Sequence, residues 1–81
     1  MENGISQRRV LWGARVVFND GRSTIDCIVR SISETGALLK VASVIEIPGE
    51  FILDIKNRGL YQCRIVRAGV DEIGVEFLPT P

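Results

Sequence analysis

With 81 residues, 46% of them apolar and 25% charged, the chain has the composition of one small globular domain, too short for a separate catalytic lobe beside its core. No apolar run approaches the ~18 residues that a membrane-spanning helix needs, and the basic N-terminus is not followed by the apolar stretch of a secretory signal, so no membrane span is expected and the cytoplasm is the expected compartment. Ten cations balance ten acids, which argues against a binder of nucleic acid polymers, whose footprint is a basic excess.

Residues 1–7 lack periodicity and read as a flexible leader, with the folded domain over 8–81 and Arg8 and Arg9 at the hinge between them. Gly13-Ala14-Arg15-Val16-Val17-Phe18 gives a first strand, with Val16 and Phe18 on one face and Arg15 and Val17 on the other. Asn19-Asp20-Gly21-Arg22 is a turn, its Asp-Gly pair being a hairpin signal. The run Ser23–Ile32 alternates so that Ile25, Cys27 and Val29 face a core; continued without interruption, that parity also carries Ser31 and Ser33, whose hydroxyls would reach a ligand or the turn backbone at a barrel rim. Gly36 allows a backbone conformation or a close approach that a Cβ would obstruct. A third strand follows, with Ala37, Leu39 and Val41 opposite Lys40.

Residues 42–50 end in Pro-Gly and read as a connection carrying apolar plugs. Phe51–Lys56 is a fourth strand and Leu60–Arg67 a fifth, with Tyr61, Cys63 and Ile65 on one face and an alternation blurred by Leu60 and Val66. Ile73, Val75 and Phe77 alternate with Gly74 and Glu76 in a sixth. Six short strands separated by turn residues, with no long helical pattern, predict an all-β fold, a six-stranded antiparallel barrel whose closure removes exposed edges.

Cys27 and Cys63 lie inside strand-like runs and the chain has no His, so a metal site is not expected; a disulfide between neighbouring strands is geometrically conceivable, but reduced, buried thiols are the expectation for a cytosolic domain. An enzyme is not expected either. Glu34 is the one acid near the Ser33–Gly36 turn, and a lone turn carboxylate has no partner for general acid–base work. Eight of the ten cations are Arg, the residue suited to bidentate contacts with phosphate and guanine edges, and residues 1–30 carry a surplus of cations.

Arg8-Arg9 before the first strand, Ser33-Glu34-Thr35-Gly36-Ala37 after the second, Cys63-Arg64-Ile65-Val66 in the fifth and Ile73-Gly74-Val75-Glu76-Phe77 in the last together resemble the PilZ domain family over about Gln7 to Leu78. The resemblance implies a six-stranded barrel and a receptor for the bacterial second messenger cyclic di-GMP. The family's ligand site joins an R-x-x-x-R element before the barrel to a D/N-x-S-x-x-G element at the turn after the second strand. Ser33 and Gly36 match the second element, with Ser31 at its Asp/Asn position; a serine hydroxyl lacks the reach of a carboxylate or amide toward a guanine edge. The first element departs further, because four residues on from Arg8 is Trp12 and four on from Arg9 is Gly13.

Two compensations are open: Arg15, the next cation, substitutes for the missing arginine, or the ligand is held by Arg8, Arg9 and the turn. Trp12 is either a stacking platform for a purine or a plug in the barrel mouth. The implied ligand-binding set is therefore Arg8, Arg9, Ser31, Ser33 and Gly36, with Trp12 and Arg15 as outer candidates. The implied function is a cyclic di-GMP receptor that signals to a protein partner through a ligand-dependent surface. The alternative is a degenerate domain that has lost the nucleotide and serves as a constitutive protein adaptor.

Overall fold

The computed structural model describes residues 7–79. It contains β1 (Arg8–Phe18), β2 (Ser23–Ile32), β3 (Gly36–Lys40), β4 (Glu50–Ile55), β5 (Gly59–Ala68) and β6 (Glu72–Phe77), with no helix among the described residues. All neighbouring strands are antiparallel, and they close into a barrel in the order β1-β2-β3-β6-β5-β4, with β4 returning to β1. The expected architecture is therefore the observed one. The expected flexible leader lies outside the described residues except for Gln7, which is exposed.

One end of the barrel, here the upper end, carries the start of β1, the β2–β3 turn, the β4–β5 turn and the end of β6. The core is a single cluster in which Val16, Val29, Leu39, Leu53, Cys63 and Ile73 are completely buried. Its members follow the two-residue period of each strand, because alternate side chains point inward in a closed sheet. Ile47, in the β3–β4 connection, is buried against the same cluster and Val44 packs on it, as plugs of the lower end.

β1 begins five residues earlier than the sequence pattern indicated, at Arg8 rather than Gly13. The apolar run Val10-Leu11-Trp12 hides a bulge: Arg9 pairs with Ser31 and Trp12 with Val29, so β1 carries one residue more than β2 across that interval. Val10 and Trp12 pack on the core, while Leu11 is left 76% exposed. Arg8 and Arg9 therefore belong to the sheet, opposite Ile32 and Ser31, and not to a hinge before it.

In the β1–β2 turn the two central residues with positive φ are Asn19 and Asp20, one place earlier than the Asp-Gly pair, and the Gly21 amide donates to the Phe18 carbonyl at 3.2 Å. Asn tolerates the left-handed region well enough to begin the turn, and Gly21 follows, also at positive φ.

Candidate ligand-binding groove

The Ser33–Gly36 turn is built by its own polar atoms. The Ser33 amide donates to the Gly36 carbonyl at 2.8 Å, closing the hairpin, and the Thr35 amide donates back to Ser33 Oγ at 3.2 Å. This is the local bonding that favours serine at turns. The Phe77 amide donates to the Thr35 carbonyl at 2.8 Å, tying the turn to the end of β6. Gly36 is required by a close approach: its φ is not left-handed, but a Cβ there would run into the Val75 carbonyl oxygen across the β3–β6 seam.

Below the turn, two bulges shape the outer wall. β2 carries an extra residue between Val29 and Ser31, and β5 carries one between Ile65 and Arg67. They flank the Leu38–Gly74 pair of β3 and β6 from either side. Each bulge shifts the inward–outward alternation beyond it. Ser31 consequently pairs with Leu38, not with an inward residue, and Arg67 pairs with Gly74. The core-facing parity expected for Ser31 and Ser33 is thus interrupted at Arg30, and both serines line a groove of about 550 Å³ together with Thr35, Leu38, Arg67 and Gly74. That volume is within the range of small-molecule sites, about 300–1,000 Å³. Gln7 and Glu76 complete its rim.

Ser31 is the one buried polar side chain among the described residues, at 8% exposure. Arg9 is its partner across the β1–β2 ladder, and directly opposed residues share a face, so an exposed guanidinium stands beside the serine. Glu76 would oppose an anionic ligand, but Arg64 Nε donates to its carboxylate at 2.8 Å, and that bond in turn holds the Arg64 guanidinium more firmly protonated than usual. With Glu76 paired to Arg64, the groove is left with Arg67 on its wall and Arg9 beside Ser31 as cations that can meet an anion. Burial first, then the neighbouring Asp26, pushes the Cys27 thiol up to about 11, while burial and then Cys27 push Cys63 up to about 12. Both cysteines are buried and free. No cluster of metal-ligating side chains occurs among the described residues.

A family model described as the PilZ domain matches residues 6–81. The chain belongs to the PilZ domain family. PilZ domains are binding modules, known generally for binding cyclic di-GMP. Among solved structures, a crystal structure of the PilZ domain of CeSA from a cellulose-synthesizing bacterium superposes with a TM-score of 0.71 at 17% identity, covering 94% of this chain and 83% of that one. At that identity the likeness establishes the fold. No curated protein matches the chain.

In PilZ terms, the structure brings Ser31, Ser33 and Gly36 of the second element into one groove, with Arg9 alongside. Arg8 pairs with Ile32 and so takes the opposite face of β1 from Arg9, toward the barrel mouth. Trp12 does not reach the groove. It is half-buried on the core, and the Arg58 guanidinium lies 3.7 Å above its ring, so one face is already occupied by a cation. Arg15 is further removed, about 20 Å along β1 from Arg9 at 3.3 Å per residue. It is flanked by Asp26 on β2 and Asp54 on β4, beside a separate depression that it lines with Gly13 and Lys56. Arg67 and Gly74, which line the groove, were absent from the candidates read from sequence. Their trace was the doublet Ile65-Val66, where alternation fails at the β5 bulge.

Proposed function

We propose that this PilZ domain is a cyclic di-GMP receptor module that carries nucleotide occupancy to a protein partner. The observation that carries the reading is the position of Ser31: a lone buried hydroxyl on the wall of an open groove, opposite Arg9, with Ser33 above it and Gly74 leaving room beside it. In this reading Arg9 and Arg67 meet the phosphates, and the serines offer hydroxyls to a guanine edge entering over Gly74. Arg8, on the other face of β1, closes from the barrel mouth. Ligand held between β1, the β2–β3 turn and β5 would stiffen the upper end of the barrel, which is the change a partner reads.

The departure at the first element supports a second reading. Trp12 and Arg15 are both away from the groove, which has Arg9 beside it through the Ser31 pair but no arginine four residues on to complete the R-x-x-x-R spacing. A domain so placed is a constitutive adaptor that has lost the nucleotide. Calorimetric titration separates the two. The receptor reading expects saturable binding of cyclic di-GMP, weakened in Arg9→Ala by about one to two decades, the worth of a charge-assisted bidentate contact of roughly 1.5–3 kcal/mol. No heat and no Trp12 fluorescence response up to high-micromolar ligand leaves the adaptor reading. An unchanged titration in Arg9→Ala would remove Arg9 from the site.

A further inference from the structure

β1 extends beyond the strand that shields it. From Ala14 to Val17 it pairs with β2 on one side and β4 on the other, and the Lys56 amide closes the second seam on the Gly13 carbonyl. From Arg8 to Trp12 only β2 flanks it. β4 stops at Ile55 and the chain turns through Lys56, Asn57 and Arg58 into β5, so among the described residues no strand pairs with this stretch on its second side. At 3.3 Å per residue the open edge runs for about 16 Å. The barrel closes at the β1–β4 seam, but β1 overhangs it, and a row of peptide groups without a strand partner is a template for a further strand.

The surroundings specify the strand that would fit. Arg8 and Arg9 lie on the edge, and Lys56 and Arg58 lie on the turn where β4 leaves it; all four are exposed. Among the described residues none of the four has a carboxylate within ion-pair distance. Leu11, 76% exposed, sits on the edge itself, and Leu60, 67% exposed, follows the same turn at the same end of the barrel. A second copy is disfavoured as occupant, because edge-to-edge pairing would bring two such basic frames together. We propose that the Arg8–Trp12 edge accepts an extended acidic segment of a partner protein as an added strand, its carboxylates meeting the four cations and its apolar side chains covering Leu11 and Leu60. Main-chain bonding supplies the pairing and the charge frame supplies the choice of partner. The proposal needs no nucleotide; Arg9 is shared with the groove through its pairing with Ser31, while Leu11, Lys56, Arg58 and Leu60 lie outside it.

The test uses the full chain, isotope-labelled and free of nucleotide, with a blocked peptide alternating glutamate and valine as the probe and its lysine–valine counterpart as the control. Amide shifts and hydrogen exchange are followed by NMR. The expected result is slowed exchange at alternate amides within Arg8–Trp12 with the acidic peptide alone. Binding should weaken at least about tenfold in the Arg9→Glu, Arg58→Glu double variant, as loss and reversal of two facing charges implies. Leu60→Glu, on a separate element, should weaken it too, and unchanged amide shifts in β3 and β6 report that each variant is folded. The proposal is overturned if the shifts fall outside Arg8–Trp12, if the lysine peptide binds equally well, or if the edge amides become protected merely on raising the protein concentration, which would identify a second copy.

Discussion

Two glycines of the barrel wall should respond in opposite ways to the same added methyl group. At Gly36 a Cβ meets the Val75 carbonyl oxygen, with Val75 C and Glu76 Cα each 3.2 Å away. All three are backbone atoms of β6, which is pinned on its far side by the Arg64–Glu76 and Ile65–Val75 pairs with β5. Space can therefore come only from opening the β3–β6 seam. Overpacking of this kind costs ~1–3 kcal/mol, and loosening the adjoining bond from the Phe77 amide to the Thr35 carbonyl adds about 0.5–1.5 kcal/mol. Gly36→Ala should thus lose about 2–4 kcal/mol, and at ~4–8 °C per kcal/mol for a domain of this size its Tm should fall by roughly 10–30 °C. At Gly13 a Cβ meets nothing within 4 Å and φ is not left-handed. Gly13→Ala should be neutral or stabilising by up to about 1 kcal/mol, through the smaller entropy of the unfolded chain. Urea and thermal unfolding followed by circular dichroism measure both. A Gly36→Ala variant within about 0.5 kcal/mol of the wild type, or a Gly13→Ala variant as unstable as Gly36→Ala, would refute the argument that the motif glycine is fixed by the β3–β6 approach.

Gly74→Ala should narrow the groove without breaking the barrel. A Cβ there makes only ordinary contacts with Arg67, at 3.8 and 3.9 Å, so unfolding should shift by less than about 1 kcal/mol while calorimetric affinity for cyclic di-GMP drops. Unfolded thiols lose their protons near pH 9.0 but the native ones only near 11 and 12, so the native state binds more protons between those values. The resulting stabilisation is full below pH 9.0 and is lost as pH rises toward 11 and 12. Urea midpoints should fall across that window, and less steeply in a Cys27→Ala, Cys63→Ala variant. Arg58→Ala uncovers the Trp12 ring; it should shift the tryptophan emission and cost about 0.5–1 kcal/mol, the range for an exposed cation over an aromatic face.

Much of the barrel was legible because alternation is strong where a strand has one buried face. The Cys27–Val29, Ala37–Leu39 and Phe51–Ile55 segments bury the residues their period assigns to the core. Bulges were not legible as such, since one extra residue looks locally like noise in the alternation. The Val10-Leu11 and Ile65-Val66 doublets mark two of them, and a third at Arg30 left the sequence looking regular. These irregularities also set the site, moving Ser31 onto the groove wall and bringing in Arg67. The requirement for a glycine at position 36 was readable as either a special φ or a close approach, and the Val75 carbonyl decides for the second. What no periodicity could express is which arginines share a wall: Arg9 and Arg15 are close in sequence, yet one faces Ser31 and the other stands between Asp26 and Asp54.

Amide chemical-shift mapping of the labelled domain during a cyclic di-GMP titration tests the receptor reading most directly. The account predicts saturable shifts concentrated at Ser31, Ser33, Gly36 and Leu38, across the seam at Gly74 and Arg67, and on β1 at Arg9. Absence of shifts at millimolar ligand, or shifts confined to the depression around Gly13 and Arg15, would contradict it.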